Sequence, residues 1–198
     1  MSFSLRTVAT LLLLLPLLTG SSAPQNAVDG SLIQFELKDQ FDRPHFDHEL
    51  RGQNVLILCG DRKGSRYQGT WANALRDSLR SRNHLDSIEV VEVADVRGVP
   101  FFVKESVKSK FPKERDSWVL MDWKGLFAKA YDFQGDKCNI VLFDRSGARR
   151  YQVAVAELSL PVLEELLDHV GRVSANVEDS APLPQRPGSR EQKNNSHR

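Results

Sequence analysis

Sulfur chemistry in this chain is limited to two residues, Cys59 and Cys138. Cys59 closes the apolar run of "VLILCGDRKGSRYQG", residues 55 to 69, just before the chain breaks into glycines and cations. A thiol in that place is either a reactive group presented at a site or a small hydrophobe ending a buried strand. The loop that follows offers a second chemistry. Arg62, Lys63 and Arg66 surround Gly60, Gly64 and Ser65 where a helical pattern begins. Free backbone N–H groups and the helix dipole favour an anion there, so Arg62, Lys63, Gly64, Ser65 and Arg66 are a candidate site for a carboxylate, a phosphate or an acidic partner. A solvated basic turn is the alternative, and the spacing is not that of a P-loop. In "PHFDHE", His45 and His48 lie three apart with Asp42, Asp47 and Glu49 nearby, a set that could in principle hold a metal. His84 and His169 have no acidic or nucleophilic partner at readable spacing.

The elements that must position these groups are legible from periodicity. Leu32 to Asp39 reads as extended, and the stretch through Gln53 as turn and short-helix material. "VLILC" is apolar on both alternating faces, as in a strand covered on both sides. Ser65 and Gln68 have capping-box spacing, and Tyr67, Trp71, Ala74, Leu75 and Leu79 recur at helical intervals behind them. Further strands are expected over Ser87 to Asp95 and Ser117 to Asp122. Short helices are expected around Val103, Val107 and Phe111, closed by Pro112, and around Trp123, Phe127 and Tyr131. The rings of Trp71, Trp118, Trp123, Phe127 and Tyr131 read as core. Two strands then meet across Arg145 to Ala148, where Ser-Gly marks a hairpin. A last helix is predicted with Ser159 as cap, Leu163, Leu166, Leu167 and Val170 as its stripe and Gly171 as its stop. Alternating elements that end in a hairpin and a helix argue an α/β sandwich with a mixed sheet.

Composition bounds the rest. The chain has 198 residues, 40% hydrophobic and 27% charged, with a net charge of +1, which gives no overall electrostatic footprint for nucleic acid. Residues 1–23 read as a secretory signal peptide: Arg6 precedes a short apolar stretch, and Ser21, Ser22 and Ala23 form a small-x-small cleavage site. The stretch is short for a membrane span, so stable membrane insertion after cleavage is not expected. Residues 24–173 then form one domain, and 174–198, with three prolines and no aromatic residue, a disordered polar tail. Asn194, Asn195 and Ser196 spell a glycosylation triplet within it. The expected location is exported, periplasmic or secreted.

The phrases "FELKDQFDRPHFDHELRGQNVLIL" and "VLFDRSGARRYQVAVA", followed by the final amphipathic helix, resemble the thioredoxin-like superfamily in its redoxin and peroxiredoxin-like branch. Within it the chain looks nearest to the exported YtfJ-type proteins, which lack the usual Cys-x-x-Cys. The resemblance covers about Phe35 to Val170 and implies a three-layer sandwich with a central mixed sheet flanked by helices. It also places the superfamily's dithiol a few residues beyond the central strand, where a helix dipole lowers the first thiol's pKa. Here that place holds "GSRY", Gly64 to Tyr67. The peroxiredoxin Pro-x-x-x-Thr-x-x-Cys is absent, and so is the cis-proline that would fall near Cys138. In the resemblance "PHFDHE" is an ordinary loop with Phe46 tucked under the sheet, and no metal or cofactor is implied.

Two roles remain for the cysteines under that resemblance. The superfamily's central strand runs antiparallel to the strand carrying Cys138, which makes a Cys59–Cys138 disulfide one arrangement and two separate reduced thiols the other. The expected function is that of a non-catalytic binding or accessory protein, with a protein partner or a small anionic ligand; a secreted structural or accessory protein that uses the fold as a platform is a further class. The alternative is an atypical thiol oxidoreductase or peroxidase working through Cys59 and Cys138.

Overall fold

A computed structural model describes residues 30–178. Its centre is the strand β3 (Asn54–Gly60), every residue of which is buried, as its unbroken apolar run requires. β4 (Ile88–Asp95) lies parallel to β3 on one side, and β6 (Cys138–Phe143) antiparallel on the other. The sheet continues outward through β5 (Leu120–Asp122), parallel to β4, and then antiparallel β1 (Glu36–Asp39) and β2 (Pro44–Phe46). β7 (Arg149–Val155) closes the opposite edge, so the order is β2-β1-β5-β4-β3-β6-β7. The turn between β6 and β7 is built as the Ser-Gly signal suggests. Asp144 Oδ1 accepts from the Ser146 hydroxyl and amide and from the Ala148 amide, and Gly147 takes φ 81°.

Helices α1 (Ser65–Ser81) and α4 (Leu160–Glu178) cover one face of the sheet. Trp71, Leu75 and Leu79 of α1 meet Leu163, Leu166, Leu167 and Val170 of α4 over Leu56, Leu58, Ile140 and Leu142. Helix α3 (Leu126–Ala130) covers the other face, where Phe127 and Tyr131 pack with Phe35, Val55, Ile57, Val91 and Phe143. Helix α2 (Lys104–Lys108) sets Val107 and, just beyond it, Phe111 against Val119 and Met121. This is the expected layered α/β sandwich with a mixed sheet.

Several boundaries differ from expectation. The first strand begins at Glu36, not Leu32, and Pro44–Phe46 pairs with it where only turn and helix signals stood. Proline is tolerated there because β2 is an edge strand. The third expected strand is confined to its last three residues, Leu120–Asp122. Gly171 does not stop the last helix. Val170 and Val173 are both buried, and Ser174 Oγ shares a 2.9 Å hydrogen bond with Ser87 Oγ, so packing overrides glycine's cost of about 1 kcal/mol in a helix. The helix therefore takes in Ser174, where the polar tail was expected to begin. The expected signal peptide, the glycosylation triplet and the rest of the tail lie outside the described residues.

Candidate functional site

β3 delivers the chain at Gly60 to the loop that starts α1, the place where a redox fold would carry its thiol. Asp61, which sequence reasoning passed over, organises this loop. Its Oδ1 accepts from the amides of Lys63 at 3.0 Å and Gly64 at 2.7 Å, and its carbonyl accepts from Ser65 at 2.8 Å. Its Oδ2 accepts from the Asp136 amide at 2.9 Å, tying the loop to the segment that leads into β6. Burial alone would raise the Asp61 pKa, but these N–H groups and the Lys63 charge outweigh it and hold the carboxyl below its ordinary value.

The expected capping box is therefore not formed. Ser65 is the first helical residue after Gly64, and its hydroxyl donates to the Arg62 carbonyl at 3.1 Å. Gln68 turns inward, where its side-chain amide lies 3.3 Å from Glu92 Oε2. An aspartate just ahead of a helical pattern is itself a cap signal, and the "GD" of this loop carried it.

The loop's cations do not converge on one point. Lys63 Nζ lies 2.9 Å from Asp136 Oδ2 in an exposed pair. The Arg66 guanidinium stacks 4.5 Å above the Tyr67 ring. Arg62 is exposed. The N–H groups that would receive an external anion are thus already used by Asp61, and what remains outward is Arg62 with the Arg66–Tyr67 pair.

Gly64 explains why this loop holds no side chain at its centre. A Cβ there would stand 2.0 Å from the backbone oxygen of Lys137, closer than any real contact. Asn139 fixes that facing segment: its Oδ1 accepts from the Gln134 amide at 2.9 Å, and its Nδ2 donates to the Gln134 carbonyl at 2.9 Å.

The thiols lie below this surface and on opposite sides of the sheet. In the β3–β6 register Cys59 faces Asn139 and Gly60 faces Cys138, so the two cysteines sit diagonally with side chains on opposite faces. Cys59 belongs to the layer under α3 and Cys138 to the layer under α1. Both are free, and the disulfide weighed from the resemblance is not formed. Side chains that diverge across the pleat cannot meet at bonding distance. Cys59 is 1% exposed and Cys138 0%. Burial pushes the Cys138 thiol up to about 12, with the Glu92 carboxyl adding to it. Burial first, then the carboxylates of Asp95 and Asp122, raises Cys59 well above its ordinary value.

His45 and His48 do not come together on a metal. His45 Nε2 lies 3.2 Å from Asp39 Oδ2 and its ring stacks on Trp118, while His48 stacks on Phe46. No group of three or more ligating side chains with metal-site geometry occurs among the described residues. Nor is any described helix long and apolar enough to cross a membrane.

No family profile matches the sequence, and no curated relative does. Solved structures match the fold. A candidate thiol:disulfide interchange protein DsbE from Chlorobium tepidum superposes with a TM-score of 0.53 at 18% identity, over 74% of this chain and 96% of that one. The reduced 2-Cys peroxiredoxin of Plasmodium vivax gives 0.53 at 15% identity, over 76% and 98%. The exposed lipoprotein thioredoxin Etrx1 of Streptococcus pneumoniae strain TIGR4 gives 0.51 at 14% identity, over 70% and 98%. The chain has the thioredoxin-like fold of the redoxins.

Proposed function

We propose that this chain is an exported thioredoxin-fold protein, of the YtfJ-like kind without a dithiol, that acts by binding a partner and not by exchanging disulfides. The observation that carries this reading is the state of the thiols. Exchange needs an accessible thiolate near a helix N-terminus, whereas here both sulfurs are buried, protonated and on opposite faces of the sheet. Export rests on the leader-like pattern of residues 1–23. The binding surface is the Arg62–Arg66 loop. Arg62 and the Arg66–Tyr67 pair present guanidinium groups and a ring to a protein with an acidic patch or to a small anionic ligand, while Asp61 keeps the loop in shape.

The test is insulin reduction and peroxide consumption by the full chain beside Cys59→Ser and Cys138→Ser. Turnover at background in all three is expected. Activity that vanishes with either serine would overturn the non-catalytic reading in favour of an atypical oxidoreductase.

A further inference from the structure

At the far end of the sheet from the Arg62–Arg66 loop, a cavity of about 230 Å³ opens beside the starts of β4 and β5. Its walls include Phe35, Leu50, Val91 and Leu120, with the Trp118 ring as one side. Side chains of β4 alternate between the two faces of the sheet, and Glu89 falls on the same face as Val91 and Val93, which belong to the core layer under α3. A carboxyl on the core side of an interior strand is costly unless something answers its charge. Among the described residues the Glu89 carboxyl forms no hydrogen bond and no ion pair, in contrast to the Glu92 carboxyl on the opposite face, which holds Arg76 at 2.7 Å.

The other polar groups at the cavity add negative charge and leave it unmatched. Glu49 stands at the rim, its Oε2 accepting from the Phe46 amide at 3.1 Å and lying 3.8 Å from His45 Nδ1. The other ring nitrogen of His45 is committed to Asp39, and its ring covers Trp118 at a centroid distance of 4.3 Å. No lysine or arginine lines the cavity. The nearby guanidinium groups are spent elsewhere, Arg43 on Asp39 and Arg51 on Asp47, each at 2.7 Å. Apolar walls, an indole and two carboxylates without a cation are complementary to a positive head on an aliphatic stem.

We propose that this cavity receives an arginine or lysine side chain of a partner polypeptide, its stem against Trp118 and Leu120 and its charged head on Glu89. Burial raises the Glu89 pKa, as an unanswered carboxyl in such a place requires, and an incoming cation would reverse that penalty. The site is separate from the Arg62–Arg66 loop, and the two stand or fall independently.

The experiment is an NMR titration of the full chain with acetyl-arginine-amide and with butylguanidinium, following the indole N–H of Trp118 and the amides of Gln53 and Glu89. Butanol serves as the uncharged control. Saturable shifts at these three positions are expected with both cations and not with butanol, and Glu89→Gln should weaken them by at least about tenfold. Because Glu89→Gln removes an unpaired charge, that variant folds at least as well as the parent, and its thermal midpoint verifies this. Absence of saturable shifts, equal shifts with butanol, or equal affinity in Glu89→Gln would each overturn the proposal.

Discussion

At the scale of single residues, Gly64 decides what the loop can become. Replacing "GSRY" by a dithiol looks, on the line of sequence, like two substitutions at the right spacing. In the fold the first of them collides with the Lys137 carbonyl, because any Cβ at 64 would sit 2.0 Å from that oxygen. Gly64→Cys combined with Tyr67→Cys should therefore lower stability by roughly 1–3 kcal/mol in urea unfolding, the usual cost of overpacking, and should not create insulin reductase activity. Gly64→Ala alone should show most of the same loss. A Gly64→Cys protein as stable as the parent would mean that the Lys137 segment yields easily. The absence of a dithiol at this place is thus built into the backbone and not only into the choice of two side chains. Tyr131 makes a comparable single-residue tie: its hydroxyl accepts from the Ile33 amide at 2.8 Å and donates to the Ser31 carbonyl at 3.0 Å. Tyr131→Phe should cost about 1 kcal/mol in the same measurement, since it removes these two hydrogen bonds while keeping the ring in the core.

Among elements, what was legible in the sequence followed the strength of the pattern. The seven buried residues of β3 and the stripes of α1 and α4 are long periodic signals with tertiary partners to match, and they appear where expected. β2 was not legible, because three residues beginning with proline carry no strand signal until Phe46, His45 and Pro44 find Glu36, Leu37 and Lys38. The overrun of α4 past Gly171 has the same origin, a contact between Ser174 and Ser87 that is distant in sequence. The candidate site was half legible: the place of the missing dithiol could be read, but the opposite faces of Cys59 and Cys138 depend on a register that no spacing reveals. Asp61 was readable in type but was hidden behind the more conspicuous Ser65–Gln68 pair. Its role gives the prediction at this scale. Asp61→Ala should destabilise the start of α1 by about 1–2 kcal/mol, as loss of a cap does, and should raise amide exchange at Lys63, Gly64 and Asp136 before any other part of the helix. Uniform exchange across α1 in that variant would assign the loop's order to the Gly64–Lys137 packing instead.

Over the whole molecule, the carboxyl groups divide into two sets whose opposite shifts set the pH range of stability. Asp39 is fully buried and Asp61 and Asp144 are half-buried, which alone would raise them, but hydrogen bonds hold all three below the ordinary value of 3.8. For Asp39 the donors are His45, Arg43 and the Phe41 amide; for Asp144 they are Ser146, Arg150 and the Ala148 amide. A lowered folded-state pKa means stability that is present above 3.8 and is lost as pH falls toward the folded-state values, because the unfolded chain takes up the protons first. Glu89 and Asp95 behave oppositely. Burial raises both, and for Asp95 the carboxyls of Asp122 and Asp61 add to it against the pull of Arg97. The folded chain then binds protons more tightly than the unfolded one, so stability falls as pH rises from the ordinary carboxylate range through the raised values. Together the two sets place the maximum on the acid side of neutrality, in the ordinary carboxylate range of 3.8 to 4.5 from which stability falls in both directions. Urea midpoints measured across this range should rise on moderate acidification from neutral pH and then drop steeply below 3.8. Glu89→Gln should flatten the neutral limb and leave the acid limb in place, whereas Asp61→Ala should soften chiefly the acid limb and, by removing one of the charges that raise Asp95, relax the neutral limb slightly. A midpoint that climbs steadily up to neutral pH would show that the raised pair does not control the neutral limb, and with it that the Glu89 carboxyl already has its charge answered within the chain.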